Sequence, residues 1–100
     1  MSADASLRIE GEMTIYRAAE LKQTLLTALD GATHLELDLH DVTEIDSAGV
    51  QLLLLAKGIA QSRSCDFRLV NHSPAVLEVF ELLDLAAYFG DPLLIPAQAA

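Results

Sequence analysis

The fold is decided by residues 35–50, which read LELDLHDVTEIDSAGV. In residues 35–39 leucine alternates with acidic residues, and this period of two is typical of a strand with one buried face. Residues 47–63 are rich in leucine and alanine and are predicted to form a helix. The stretch therefore predicts a strand, a short acidic loop and the start of a helix, with Ser47 at or near the helix N-cap.

Three more segments are predicted to be strands and two more to be helices. Residues 7–10 and 67–70 repeat the alternation, whereas residues 93–95 lie between two prolines and could form only a short edge strand. Residues 16–29 carry an apolar stripe that ends at Asp30-Gly31. The last helix is predicted to begin at Ser73-Pro74 and to carry three apolar residues on its stripe: Val76, Phe80 and Leu83.

The order of these elements predicts the fold class. Strands that alternate with helices need crossover connections, so an α/β domain is expected. On the second strand Glu36, Asp38 and His40 share one face, whereas a sheet covered on both faces would be apolar throughout. We therefore predict a two-layer, α+β-like domain in which a sheet of about four strands, mainly parallel or mixed, carries helices on one face. A three-layer, doubly wound fold is the weaker alternative.

Length, composition and cysteine content indicate the number of domains and the cellular compartment. One hundred residues, of which 52% are hydrophobic, fit a single domain over 1–100, with residues 1–6 and 96–100 expected to fray. Cys65 is the one cysteine, which indicates a reducing compartment. Residues 1–13 do not resemble a secretory signal, and the apolar run 52–56 is too short to cross a bilayer. The chain is therefore expected to be cytoplasmic, with no direct membrane insertion.

The net charge of −9 also limits the partners. Fifteen acidic residues against six basic ones oppose binding to phosphate backbones and to anionic membrane surfaces. No nucleic acid is expected, and proteins or small molecules are the partners that remain.

Sequence signals for catalysis are missing or incomplete. The chain has no glycine-rich phosphate loop with a lysine, and Ile45 stands where a hydrolase nucleophile elbow needs glycine. A phospho-aspartate receiver domain would need a lysine after a late strand, and none follows Lys57. His40, beside Asp38 and Asp41, could hold a divalent ion, although a solvated strand end is the favoured interpretation. We therefore expect no enzyme activity, no metal and no cofactor.

Ser47 has two interpretations on physical grounds alone. A helix N-terminus presents unpaired N–H groups and a partial positive charge, which suit an anion such as a serine-linked phosphate. The plainer alternative is an ordinary N-cap, in which the hydroxyl stabilises the helix by about 1 kcal/mol and does nothing else. Physical chemistry alone favours the plainer alternative.

One pattern spans most of the chain. Leu37-Asp38-Leu39 is followed by Ile45-Asp46-Ser47-Ala48-Gly49 and a leucine-rich helix, and the later run 69–76 completes it. This pattern resembles the STAS domain of bacterial anti-sigma-factor antagonists over about residues 7–89. The resemblance implies that an anti-sigma-factor kinase phosphorylates Ser47, with Asp46, Ala48 and Gly49 around it. Ala48 departs from members that carry a second hydroxyl there, which removes a rival phosphate acceptor.

The resemblance leaves two functions open. One is a protein–protein switch, in which the unmodified domain binds an anti-sigma factor or a kinase-like signalling protein. Residues 12–22 and 85–92 also resemble the small free-standing STAS proteins of chemotaxis clusters, so that pathway is one candidate. The other function is a constitutive scaffold or regulatory subunit that docks onto a membrane transporter complex, such as one for lipid export.

Two finer hypotheses concern the helix that begins near Ser47. Asp46 could act on the Ser47 hydroxyl as a general-base-like group, or it could complement the helix dipole, which is the favoured interpretation. At 3.6 residues per turn, the core stripe of the helix is predicted to be Leu52, Leu55, Ala56 and Ile59. The opposite side is predicted to form an exposed partner-binding patch, unless a homodimer covers it: Val50, Leu54 and Lys57.

Overall fold

The computed structural model describes residues 4–83, in which strands and helices alternate strictly. In chain order these elements are β1 (Asp4–Met13), α1 (Ala18–Leu29), β2 (His34–Ile45), α2 (Ser47–Ser62), β3 (Asp66–Val70) and α3 (Pro74–Leu83). All six begin within a few residues of a predicted element, which confirms the predicted alternation of strands and helices. Among the described residues, no helix is long and apolar enough to span a membrane.

The three strands form one parallel sheet in the order β1-β2-β3, with β2 in the centre. The register places Leu7 beside Leu37 and Leu37 beside Leu69. The described residues thus contain three parallel strands rather than the predicted four or so. The predicted fourth strand, residues 93–95, lies outside the described residues, as do residues 96–100.

The two faces of the sheet differ as the period of two predicts. Leu35, Leu37 and Leu39 of β2 are buried, whereas Glu36 and His40 on the opposite face are exposed. The buried leucines share one core cluster with side chains from all three helices, so the helices cover the leucine face. Burial of such apolar side chains, at about 1.5–3 kcal/mol each, is the main force that holds the two layers together.

Three predicted boundaries were wrong: the start of β1, the end of β2 and the start of α1. Residues 4–6, predicted to fray, belong to β1, because they pair in register with residues 34–36 of β2. The predicted acidic loop after residue 39 is a continuation of β2 as far as Ile45, because residues 41–45 keep pairing with β1 through two register shifts. The predicted first helix began at Tyr16, but α1 begins at Ala18, because residues 14–17 form a turn closed by the Arg17 N–H donating to the Thr14 carbonyl (2.9 Å).

Candidate functional site

Asp46 is the single residue between β2 and α2, and it caps the helix. Its Oδ1 accepts hydrogen bonds from the backbone N–H groups of Ala48 (2.9 Å) and Gly49 (3.2 Å). Ser47 is therefore the first residue of the helix, near the N-cap as predicted, and the plainer interpretation, in which the Ser47 hydroxyl is the cap, is wrong. An aspartate accepts two N–H bonds at this position as readily as a serine does, and its charge also complements the helix dipole.

The same carboxylate joins α2 to the loop between β1 and α1. Its second oxygen, Oδ2, accepts from the N–H of Ile15 (3.2 Å), and the Asp46 N–H donates to the carbonyl of Met13 (3.3 Å). Desolvation raises the pKa of Asp46, but the N–H donors of Ile15, Gly49 and Ala48 outweigh it and hold that pKa below its usual value. A carboxylate with both oxygens already in use is a poor base, so this geometry favours a capping role.

Gly49 lets the first turn of α2 lie directly against the end of β1. A Cβ at this position would fall inside contact distance of the Met13 carbonyl oxygen and 2.8 Å from Ile45 Cγ1. Only a residue without a side chain fits between this backbone and the helix. The motif Asp46-Ser47-Ala48-Gly49 thus has a physical meaning, because Asp46 caps the helix and Gly49 permits the close approach.

Ser47 takes no part in these hydrogen bonds. Its side chain is exposed, and within residues 4–83 its hydroxyl forms no hydrogen bond. Two large apolar residues in the adjoining loop are exposed as well: Ile15 to 67% and Tyr16 to 90%. Sequence reasoning missed both, and it placed Tyr16 in the first helix, which begins at Ala18.

The comparisons with known proteins agree with this geometry. A family model described as "Mlab, STAS domain" matches residues 2–96. The chain belongs to this STAS family. No match to a curated protein is found.

Several solved structures share the fold of this STAS domain. The anti-sigma factor antagonist SpoIIAA in its unphosphorylated form is 23% identical, with a TM-score of 0.71 over 97% of this chain and 88% of that one. An anti-sigma factor antagonist from Mycobacterium paratuberculosis is 24% identical, with a TM-score of 0.75 over 93% and 81%. The STAS domain of a SulP transporter from Vibrio cholerae is 17% identical, with a TM-score of 0.66 over 91% and 74%.

The rotation of α2 differs from the sequence prediction. Val50, predicted to be exposed, is only 6% exposed, and Leu54 is half-buried and packs against the core. Leu55, predicted to lie in the core, is 42% exposed. The contact at Gly49 sets this rotation, and the run of four leucines from residue 52 gave the sequence no single apolar stripe to mark it.

The outward row of α2 in this STAS domain consists of different residues from those predicted. It begins at the exposed Ser47 and continues at spacings of three and four, all exposed: Gln51, Leu55, Gly58 and Ser62. Lys57 is half-buried and lies off this row. The patch of Val50, Leu54 and Lys57 therefore lacks the exposure on which its predicted docking role depended.

The acidic residues that precede Ser47 in the sequence have different surroundings in the structure. Glu44 is exposed one residue before the end of β2, and Asp46 is bonded as described above. The Asp41 carboxylate instead contacts the Arg8 guanidinium (3.4 Å) and His40 Nδ1 (2.9 Å). Within the described range, no group of three His, Cys, Asp or Glu side chains is placed to hold a metal ion.

Proposed function

We propose that this STAS domain is a non-catalytic protein–protein switch controlled by phosphorylation of Ser47. The observation that carries the proposal is the exposed Ser47 hydroxyl on a fixed helix start, between the Asp46 cap and the glycine packed against β1. The anti-sigma factor antagonist SpoIIAA, which has the same fold, has an unphosphorylated and a phosphorylated form. By analogy, the partner is an anti-sigma factor or a kinase-like signalling protein, and both act in the cytoplasm.

The start of α2 offers few free N–H donors to a phosphate on Ser47. The N–H groups of Ala48 and Gly49, which would otherwise bind an anion, already donate to Asp46. A phosphate adds about −1.5 to −2 charge and strong acceptor oxygens, here beside the carboxylates of Asp46 and Glu44. It stays solvated on the surface, and a partner that covers it must remove its water. The unmodified domain therefore binds the partner, and the phosphorylated domain releases it.

The kinase supplies the base in this proposal. Asp46 is committed to three backbone N–H groups, and its pKa is depressed by them, so it positions the helix start rather than removing a proton. Protein kinases carry an aspartate of their own that accepts the proton of the substrate hydroxyl. Asp46 is thus a positioning residue for Ser47.

The test is phosphosite mapping by mass spectrometry on the protein purified from its own cells. We expect phosphate on Ser47 of the parent and none on the domain when Ser47→Ala is purified in parallel. Ser62→Ala is the matched control, because Ser62 is an exposed serine on the same outward row of α2. Phosphate at an undiminished level in Ser47→Ala would contradict the proposal.

A second candidate function is a constitutive subunit of a membrane transporter complex. The STAS domain of a SulP transporter among the structural neighbours favours it. In that case the domain stays bound to a transporter subunit whether or not Ser47 carries phosphate. Recovery of a stable complex with a transporter subunit, at equal yield from the parent and from Ser47→Asp, would select this function over the switch.

The pathway is a finer proposal. The likeness of residues 12–22 and 85–92 to small chemotaxis-associated STAS proteins supports a role in chemotaxis signalling. Loss of chemotaxis in a Ser47→Asp strain, with unchanged swimming speed, is the expected result.

A further inference from the structure

The loop beside Ser47 is the one loop among residues 4–83 that carries large exposed hydrophobic side chains. Five large hydrophobic side chains are exposed in that range: Ile15, Tyr16, Leu55, Leu82 and Leu83. Only Ile15 and Tyr16 are neighbours in a loop, and they are 67% and 90% exposed. Adjacent exposed apolar residues of this size are more typical of a binding surface than of a free loop.

This loop is held in one conformation by hydrogen bonds from both sides. The Ile15 N–H donates to Asp46 Oδ2 (3.2 Å), which ties the loop to the helix that carries Ser47. The guanidinium of Arg17 donates to the carbonyls of Glu10 (2.6 Å) and Glu12 (2.9 Å), which ties it to the end of β1. A side chain presented on a fixed loop loses little entropy on binding, so this arrangement favours association.

The charges around this apolar pair are mostly negative. Glu12, Glu20, Glu44 and Asp46 lie on the loops and element ends that surround it, and Glu20 is paired with Arg17 (3.6 Å). Arg17 is the one basic residue on the loop, and its guanidinium also bonds the chain's own carbonyls. A partner that covers this region must therefore offer positive charge around an apolar centre.

We propose that Ile15 and Tyr16 are the anchor of the partner-binding surface beside Ser47, and that the occupant is a protein face with an apolar cleft bordered by lysine and arginine. The inference rests on the proposed function in taking the Ser47 end as the partner-binding end. Asp46, which precedes Ser47, is bonded to Ile15, so a phosphate on Ser47 falls inside the covered area. There the loss of its hydration weakens the complex even though the partner's rim is basic.

The charge of the chain argues against two other occupants. A second copy would bring a net charge of −9 against the same charge, and an anionic lipid surface would repel the carboxylates in the same way. The experiment below can still detect a second copy or a lipid, because a crosslinker at position 16 captures any molecule that covers this loop.

The test uses a photocrosslinking amino acid, p-benzoylphenylalanine, in place of Tyr16 in the source cells. The same substitution at Glu36, exposed on the bare face of the sheet, is the control. We expect Tyr16 to capture one protein that Glu36 does not, with the crosslinked peptide containing apolar residues and flanking lysine or arginine. Capture of a second copy or of lipid, or equal capture from Glu36, would overturn the proposal.

The affinity of the purified partner then measures the anchor directly. Ile15→Ser and Tyr16→Ser should each raise the Kd at least about tenfold, and added salt should weaken binding of the parent. Leu55→Ser is the matched control and should leave the Kd unchanged, since Leu55 is exposed but lies on α2, two turns from Ser47. Circular dichroism checks that all variants fold. A Kd unchanged in both loop variants, or raised equally in Leu55→Ser, would overturn the anchor.

Failure of the anchor and failure of the switch are distinguishable. A domain that is never phosphorylated on Ser47, but still loses its partner in Tyr16→Ser, supports the anchor and contradicts the switch. If the domain is phosphorylated on Ser47 but the crosslinker at position 16 captures no protein, only the anchor is contradicted.

Discussion

Two aspartates of one chain segment, Asp38 within β2 and Asp46 at its end, use the same chemistry in different surroundings. Asp38 accepts from the N–H of His40 (2.8 Å), from Arg8 (3.2 Å) and from Asn71 (3.2 Å), which joins β2 to β1 and to the residue that follows β3. Asp46 accepts from three backbone N–H groups and joins α2 to the β1–α1 loop. Both carboxylates are well satisfied, so satisfaction alone does not mark a functional site.

The difference lies in what surrounds each carboxylate. Arg8 pairs with Asp38 (3.2 Å) and also contacts Asp41 (3.4 Å), so the charge of Asp38 is paired within the chain. Asp46 forms no ion pair with any described residue, and beside it stand an exposed hydroxyl and two exposed apolar side chains. Unpaired negative charge next to exposed apolar surface is available to a partner, whereas the Asp38 network is complete within the domain.

The largest effect on the Asp46 region should come from Gly49→Ala. The added Cβ meets the Met13 carbonyl and Ile45, so the first turn of α2 must move away from β1, at a cost of about 3 kcal/mol. Gly58→Ala in the same helix is the matched control. No atom lies within 4 Å of its would-be Cβ, so it should stabilise the domain by up to about 1 kcal/mol. Urea denaturation measures both, and equal effects of the two substitutions would contradict the close packing at Gly49.

Removal of each carboxylate separates the two regions. Asp46→Ala and Asp38→Ala should each destabilise the domain by about 1–2 kcal/mol, because each leaves several donors without their acceptor. Only Asp46→Ala should speed hydrogen exchange at the Ile15 amide, since Asp46 holds that N–H. Exchange measured by NMR gives the answer, and equal protection of Ile15 in both variants would show that the loop is held by other contacts.

The charge of Asp46, as distinct from its capping bonds, is tested by Asp46→Asn. Asparagine is an equally good N-cap, so this variant should keep most of the stability lost in Asp46→Ala. If Asp46 only positions the helix start, the Ser47 hydroxyl should still be phosphorylated at a rate within about a factor of three of the parent. A loss of labelling of a hundredfold or more, with an unchanged melting temperature, would restore the general-base hypothesis.

Acid should lower the free energy of unfolding through both Asp38 and Asp46. The His40 N–H, with smaller contributions from Asn71 and Arg8, holds the pKa of Asp38 below its usual 3.8, and the backbone donors around Asp46 do the same against desolvation. At acidic pH the unfolded chain therefore binds more protons than the folded one. The contribution of these two carboxylates to the free energy of unfolding is complete above about pH 5 and decreases as the pH drops through 3.8 and below. Asp38→Asn and Asp46→Asn should each flatten this fall in urea titrations between pH 2 and 6, and a parent-like slope in both would contradict these assignments.

The smallest effect on stability is expected at Ser47 itself. Its side chain is exposed and forms no hydrogen bond within the described part of the chain, so Ser47→Ala and Ser47→Asp should each change the free energy of unfolding by less than about 0.5 kcal/mol. Thermal unfolding measures the change. A loss of more than about 2 kcal/mol in Ser47→Ala would mean that the hydroxyl has a structural role that its exposure does not indicate.

Sequence reasoning worked where local patterns determine structure. The alternation in β2 identified its buried and exposed faces, because a period of two admits only two arrangements of the strand. It was less successful for α2, where leucines at residues 52–55 allow several rotations and a tertiary contact at Gly49 selects one of them. The N-cap of α2 is Asp46 rather than Ser47, and the sequence alone could not distinguish the two. Aspartate and serine are both good N-caps, so the sequence Asp46-Ser47 fits either assignment.

The exposed pair Ile15 and Tyr16 could not be predicted from the sequence. Their exposure follows from the turn at residues 14–17, which depends on Arg17 bonds to the end of β1 and on the Asp46 bond to Ile15, 31 residues away in the chain. Ser47 was found because its motif resembles a known family, and the physical grounds for it became visible only with the geometry of Asp46 and Gly49.

The affinity of the partner for two forms of the domain, one unmodified and one carrying phosphoserine at residue 47, tests the central claim most directly. Isothermal titration calorimetry with the protein captured at Tyr16 gives both values. We expect the phosphorylated form to bind at least about tenfold more weakly, a difference of about 1.4 kcal/mol, while its fold and melting temperature stay close to those of the parent. Equal affinity for the two forms would contradict the switch.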